Sequence, residues 1–398
     1  MRLLTVSSKF PYPAKDGGAL AIKAFLENLA AIGHNIDFVA VETPKHPAKE
    51  IPAIKNINFH TVFVDTTINA KDALLNFLFS SEPYIAVRFY SDGLKKKIKE
   101  LITSNAYDIV FLEGLYTAYL TGFIKELCNC PVIVRAHNVE HRIWQRKLKN
   151  EKGLKKFYLS SMTSRLKRFE IQHLSGADFL LPITAEDDKV FKELGINVPS
   201  YVMPFGIDAV GEEPPLPDNT SMAFIGSLDW MPNVEGLIWF VKNVWPQIYE
   251  KHGAKFYIAG RNASADFVAK MKNVPGVEVV GEVDDARKFI LSHGIMLVPL
   301  LSGSGMRVKI IEAMSLKRAI VTTNVGIEGI DAEAGKHFLS ANSVEEWIDA
   351  VDLLLSNPHK VQEIASNAYD LVSNHYRNDI IVRKALDAIK DEFKINES

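Results

Sequence analysis

The chain has 398 residues, 47% of them hydrophobic and 24% charged, with a formal net charge of −2. That length exceeds one comfortable core and predicts two domains of ordinary globular composition. The near-neutral balance argues against a general nucleic-acid binder, and no run approaches the roughly 18 apolar residues of a membrane helix.

The chain opens on MRLLTVSSKFPYP, whose apolar stretch is too short for a signal h-region and reads as a first strand. A cytoplasmic location is therefore expected. Strand-like runs follow at Leu3–Val6, Ile36–Val41, Asp108–Glu113, Pro131–Ala136 and Asp178–Thr184. They are continuous and apolar, as strands buried on both faces of a parallel sheet should be. Between the first two, apolar residues at Leu20, Ala24, Leu26, Leu29, Ala30 and Ile32 keep helical spacing up to a stop at Gly33. This βαβα order predicts an α/β doubly wound sheet, in which ligands gather outside the carboxyl ends of the strands.

Two such ends carry candidate chemistry. Asp16-Gly17-Gly18 follows the first strand and opens the first helix. Its glycines permit close backbone approach, although a full dinucleotide fingerprint is absent and a plain turn fits equally. Arg135-Ala136-His137-Asn138-Val139-Glu140-His141 follows a later strand, where the His137 imidazole can bond a substrate hydroxyl or act as a base. Between these, Cys128 and Cys130 would close a strained loop if bridged, so free thiols in a reducing compartment are expected. From Arg142 to Arg168 there are ten Lys or Arg against one acid, Glu151, with Trp144, Phe157 and Tyr158 interleaved. Such a stretch can rest on an anionic membrane surface, or be a solvated face that packs its apolar side inward.

The proline-rich, acidic stretch Gly211–Asn219 reads as a linker. A second βα series begins beyond it, with strands at Met222–Gly226, Lys255–Gly260, Val277–Gly281, Ile295–Pro299 and Ala319–Thr323. One helix is predicted over Val234–Tyr249, with others in ADFVAKM and DDARKFIL. Three of these strands end in glycine: Gly226, Gly260 and Gly281. After the fourth comes SGSGMRVKIIEAM, which offers Gly303, Gly305, Arg307, Lys309 and Glu312 in a turn and the first part of a helix. Free N–H groups at a helix start make an anion site. Cations there oppose the helix dipole, which suggests that an anion is expected; a solvated Lys309–Glu312 pair is the plainer alternative. If the helix starts near Gly305, seven residues bring Glu312 back to the same face about 10 Å along the axis.

The glycine loop at Gly17-Gly18, RAHNVE, PFGID (Pro204–Asp208), FIGSLDWMPN (Phe224–Asn233), IAGR (Ile258–Arg261), VVGEVDD (Val279–Asp285) and GSGMRVKIIEAM (Gly303–Met314) together resemble family 4 (group 1) retaining glycosyltransferases. That resemblance implies the GT-B fold: two Rossmann-like doubly wound domains facing a central cleft. It places an acceptor-binding domain over residues 1–205, a nucleotide-sugar-binding domain over 206–375, and a C-terminal helix over 376–398 that packs back on the first. It implies a nucleoside-diphosphate-sugar donor, a saccharide or lipid-linked acceptor, no metal requirement and no nucleic-acid partner. Membrane contact, if made, would be peripheral on the inner face through Arg142–Arg168.

His137, Arg307 and Lys309 are the implied catalytic residues. Donor contacts are implied at Gly17, Gly18, Gly226, Arg261, Gly281, Val283, Gly303, Ser304, Gly305, Met306 and Glu312, with Glu312 on the ribose and Gly281 and Val283 near the base. The sequence departs from the family pattern at Ser304, where relatives commonly carry a glutamate beside the donor sugar. It departs again at Gly226–Asn233, where an arginine and a lysine are often found; Arg307 and Lys309 are expected to supply that charge. A nucleotide-sugar epimerase or hydrolase on the same architecture, and a non-catalytic nucleotide-sugar binder, remain as alternatives.

Overall fold

A computed structural model describes residues 1–14, 16–149, 151–208, 211–218, 220–303 and 305–395. It forms two compact units, residues 1–204 with 381–398, and residues 205–380. Each is built on a six-stranded parallel sheet among the described residues.

In the first unit the strands are β1 (Arg2–Ser7), β2 (Asn35–Glu42), β3 (Ile57–Phe63), β4 (Ile109–Glu113), β5 (Val132–Ala136) and β6 (Phe179–Pro182), in the order β3-β2-β1-β4-β5-β6. The second unit has β7 (Met222–Ile225), β8 (Phe256–Ala259), β9 (Val277–Gly281), β10 (Ile295–Val298), β11 (Ala319–Thr322) and β12 (Leu339–Ser340). Their order, β9-β8-β7-β10-β11-β12, repeats the first sheet's topology. In each sheet the winding reverses between the first and fourth strands, and the carboxyl ends of that pair border the crevice where ligands of open α/β sheets bind. The pairs are β1 with β4, and β7 with β10.

Helices cover both faces of each sheet, so successive strand residues feed different cores. In the first unit Leu4, Val6, Val39, Val110 and Leu112 join one core, while Leu3, Phe38, Ile109 and Phe111 join the other. The second core is completed by Ile381, Val382, Ala385, Leu386 and Ile389 of the helix Asn378–Phe393. The second unit repeats the arrangement, with Phe224, Ile295 and Leu297 on one side and Ala223, Met296 and Val298 on the other.

Four expectations need correction. The stretch read as a linker is a strap on the second unit: Arg318 donates to the Pro215 carbonyl at 2.7 Å, Gln362 to that of Pro217 at 3.2 Å, and Lys317 pairs with Glu213. The single helix expected over Val234–Tyr249 is two, Met231–Asn243 and Trp245–His252. Pro246 has no N–H to continue the first, and its ring would collide with the carbonyl four residues back. Cys128 and Cys130 are bonded to each other rather than free, their Cα atoms 5.5 Å apart in the non-helical connection leading to β5. Finally, the helix after β10 starts only at Val308, with Arg307 at its N-cap. Gly303 and Gly305 lie before it at φ +134° and +78°, outside helical geometry, so the seven-residue face from Gly305 to Glu312 does not exist.

Candidate active site

In the second unit, the anion loop fills the connection from β10 to the helix Val308–Ser315. A Cβ built on Gly303 would lie 2.6 Å from a terminal nitrogen of Arg307, so glycine lets the guanidinium lie against the chain. Arg307 is buried, donates to the Gly305 carbonyl, and sits 5.7 Å from the Trp230 ring centre. Lys309, one turn-start further on, crosses to the neighbouring strand β7. Its Nζ donates to Asn233 Oδ1 at 2.8 Å and lies 4.2 Å from the Phe224 ring centre. A Cβ on Gly226, at the end of β7, would approach that Nζ to 2.5 Å. Gly226 thus leaves room for the lysine, which is its role in the structure.

Asn233 is itself fixed, donating to the Ser227 carbonyl at 2.8 Å from a buried position. Among the described residues no carboxylate forms an ion pair with Lys309. Burial, with the Arg307 charge beside it, pushes the Lys309 ammonium down to about 7. The plainer reading, a Lys309–Glu312 pair, is not what the structure shows. Two cations therefore converge at the β7–β10 switch point.

The other expected donor residues of the second unit lie at strand ends, in the loop and on the helix that follows it. Gly226, Gly260 and Gly281 stand side by side at the ends of β7, β8 and β9: Gly226 N donates to the Ala259 carbonyl at 3.1 Å and Gly260 N to that of Gly281 at 2.7 Å. A Cβ on Gly260 would fall 1.8 Å from the Gly226 carbonyl oxygen, so no other residue fits there. Arg261 is exposed beyond β8, and its carbonyl accepts from Leu228 N at 2.9 Å. Val283 is half-buried beyond β9, and Met306 packs against the core of the unit. Glu312 lies on the exposed side of its helix. Ser304 lies outside the described residues.

In the first unit, the equivalent switch point is closed by acids. Glu113 ends β4 directly beside Arg135 of β5 in the strand register. Its fully buried carboxylate accepts from Arg135 at 2.7 and 2.9 Å, and pairs with His137 Nε2 at 2.8 Å. Burial alone would raise the Glu113 carboxyl, but the Arg135 guanidinium and His137 hold it below its ordinary value. Burial pushes His137 down, against the pull of Glu113. A neutral imidazole facing an ionised carboxylate must donate through Nε2, which leaves Nδ1 as the acceptor.

Beside it, burial and the neighbouring Glu170 raise Glu140, which accepts from the Tyr116 hydroxyl at 3.0 Å. Glu170 in turn pairs with His141 and accepts from Glu140 N at 2.8 Å. Across the switch point at β1, Asp16 caps the first helix through Ala19 N at 2.9 Å and pairs with Lys9 and His46 at 2.8 and 3.1 Å. Gly17 faces open space, while a Cβ on Gly18 would come within 2.7 Å of the Lys9 Nζ.

Sequence reading thus missed two partners. Glu113 carries a faint signal, an acid closing the otherwise apolar strand IVFLE. Asn233 closes the motif FIGSLDWMPN, but its bond to Lys309 was not readable there, because it depends on two helix starts meeting from 76 residues apart.

Residues 219–357 match the family described as "Glycosyl transferases group 1". A Klebsiella pneumoniae protein described as an uncharacterized 44.6 kDa protein in the cps region is 24% identical over 94% of this chain and 96% of its own length. An uncharacterized glycosyltransferase of Methanocaldococcus jannaschii is 23% identical over 98% of each. Among solved structures, sucrose-phosphate synthase from Thermosynechococcus elongatus superposes with a TM-score of 0.71 at 14% identity, covering 99% of this chain and 100% of that one. HepE of Anabaena in complex with UDP gives 0.66 at 12% identity, over 98% and 100%. Both sheets and their order match this architecture, so the fold is GT-B. The family match and the full-length likeness to a glycosyltransferase support glycosyltransferase activity, while the solved structures show the fold.

Proposed function

We propose that this chain moves a sugar from a nucleoside-diphosphate sugar to an acceptor hydroxyl with retention of anomeric configuration, in the assembly of a polysaccharide, cell-surface glycan or glycolipid. The observation that carries this reading is the pair Arg307 and Lys309 at the β7–β10 switch point, with Lys309 resting on a neutral asparagine. Holding an ammonium there costs stability in the empty site, and a diphosphate would relieve that cost.

In this reading the bond between the anomeric carbon and the diphosphate oxygen breaks, and the acceptor oxygen bonds to the same face of the sugar. The acceptor proton passes to the leaving phosphate. Negative charge builds on that phosphate in the transition state, where preorganised donors have their largest effect. Arg307 offers a planar fork, Lys309 a point charge, and the start of the helix at Val308 its free N–H groups. In this reading the two cations neutralise the leaving diphosphate, and no metal requirement is proposed. His137, with Nε2–H held on Glu113, presents Nδ1 as an acceptor suited to a sugar hydroxyl. The exposed Glu312 is assigned to the ribose, and the row Gly226, Gly260, Gly281 to the approach of the nucleotide.

A thermal-shift screen of UDP, GDP and ADP with their sugar conjugates tests the proposal, and the UDP complex of HepE makes the uridine series the first to try. A matching nucleotide at a hundred times its Kd should add about 2.7 kcal/mol of stability. No shift with any of them would contradict it. Incubating the matched conjugate without acceptor separates the alternatives: rapid epimer formation or hydrolysis would point to an epimerase or hydrolase.

A further inference from the structure

The helix Ala70–Phe79, AKDALLNFLF, is amphipathic in the wrong sense for a soluble surface. It is properly started, with Asn69 accepting from Lys71 N at 2.9 Å, yet none of its residues is buried. Leu74, Leu75, Leu78 and Phe79 are 57%, 55%, 59% and 83% exposed, and Ile68 just before the helix is 76% exposed. Helical spacing puts those four on one outward face, with Lys71 among them.

The opposite side is what holds the helix to the protein. Phe77 packs against the rings of Phe157 and Tyr158 on the helix Gly153–Leu174, with centroids 6.0 and 5.5 Å apart. Arg165 donates to the Asn76 and Phe77 carbonyls at 3.1 and 2.8 Å, which satisfies the helix's C-terminal end. Phe157 is itself 67% exposed and extends the apolar surface onto the second helix. Scattered exposed leucines need no explanation, but a contiguous patch of this kind marks a contact.

We infer that this face is the surface by which the first unit rests on an anionic lipid bilayer. The charge around it matches that occupant. Lys152, Lys155 and Lys156 are exposed beside Phe157, and Arg146 and Lys147 on the preceding helix are exposed as well. The acids nearest in the chain are Asp65, which accepts from Thr67 N at 2.9 Å, Asp72 on the first turn, Glu82, which accepts from the Tyr90 hydroxyl at 3.0 Å, and Glu151, which is paired with Lys155 at 2.7 Å. An interfacial helix has this composition: leucines and phenylalanine sink into the acyl boundary while lysines reach the headgroups. Two copies meeting through this face would bring the lysines together, which disfavours self-pairing. The basic run thus acts with the neighbouring apolar helix, and the helix supplies the insertion.

This surface stands independently of sugar transfer, so its test needs neither donor nor acceptor. The full chain is co-sedimented with vesicles of about 3:7 phosphatidylglycerol to phosphatidylcholine, and with pure phosphatidylcholine, at low and high salt. The wild-type chain should partition onto the anionic vesicles and lose much of that binding in high salt. Leu78→Glu with Phe79→Glu should lower the partition coefficient about tenfold or more, and Lys155→Glu with Lys156→Glu should remove the salt-sensitive part. Nucleoside-diphosphate affinity should stay unchanged in both variants, which keeps this result separate from the proposed function. No binding of the wild-type chain to anionic vesicles, or equal binding by the Leu78/Phe79 variant, would overturn the inference. So would a concentration-dependent dimer in sedimentation velocity that the same variant abolishes.

Discussion

The two units share one strand order but treat charge at their switch points in opposite ways. At β1 and β4 the strand-end acids are matched by cations and imidazoles: Glu113 with Arg135 and His137, and Asp16 with Lys9 and His46. At β7 and β10, Lys309 leans on the neutral Asn233 and Arg307 adds a second positive charge. A buried, self-paired network fixes geometry, whereas a lysine resting on a neutral amide beside a second cation is suited to an anion. Changes at the first point should therefore cost stability, and changes at the second should cost function.

The largest expected effect is on turnover. Arg307→Ala should lower kcat by about 10²–10³-fold, the scale for losing one donor to a charge that develops in the transition state. Steady-state kinetics on the folded variant checks this, and near-wild-type transfer would remove Arg307 from the mechanism. Glu113→Gln should act on the other side of the comparison. It leaves the Arg135 guanidinium buried without its counter-charge, a change that typically costs about 3–5 kcal/mol. Denaturant titration should show that loss while nucleotide affinity, which the proposal assigns to the second unit, holds.

A smaller effect concerns pH. Lys309 has a folded value of about 7 against an ordinary 10.5, so the unfolded chain binds more protons between those limits. Stability contributed through this group should therefore rise with pH across that window. Lys309→Met should flatten that rise. The same group makes anion binding weaken above pH 7, by up to about tenfold per unit, because the bound diphosphate needs the protonated amine. The smallest expected change is Glu312→Ala. Its exposed position should leave stability unaltered and weaken donor binding several-fold, read by calorimetry.

Much of this architecture was legible in the chain. Ten strands stood out, most of them because burial on both faces makes continuous apolar runs, while β9 alternates half-buried and exposed residues. The two that did not, β3 and β12, each lie at one edge of a sheet, as β6 and β9 do at the opposite edges. Residues Asn58 and His60 interrupt the apolar pattern of β3, and β12 has only two residues. The β10–helix connection with its glycines and cations was legible as well, although its helix begins later than expected.

What joins residues across the sheet was not legible. The Glu113–Arg135–His137 network needs β4 beside β5, and the Lys309–Asn233 bond needs β7 beside β10; periodicity along one strand says nothing of its neighbour. The helix start was misplaced for a local reason, since positive φ at Gly303 and Gly305 delays helical geometry until Val308. The apolar face of Ala70–Phe79 escaped notice because sequence shows that a helix is amphipathic, but not which way it faces.

The loop from Gly303 and the helix start at Lys309 are proposed to receive a diphosphate on a lysine whose ammonium burial holds down to about 7 in the empty site, so that it is mostly neutral at pH 8. Calorimetric titration of the best-stabilising nucleoside diphosphate at pH 8, repeated in buffers of different ionisation enthalpy, counts the protons that move with it. Binding should take up close to one proton per nucleotide in the wild-type chain and close to none in Lys309→Met. Equal proton uptake in the two proteins, or none in either, would contradict the account.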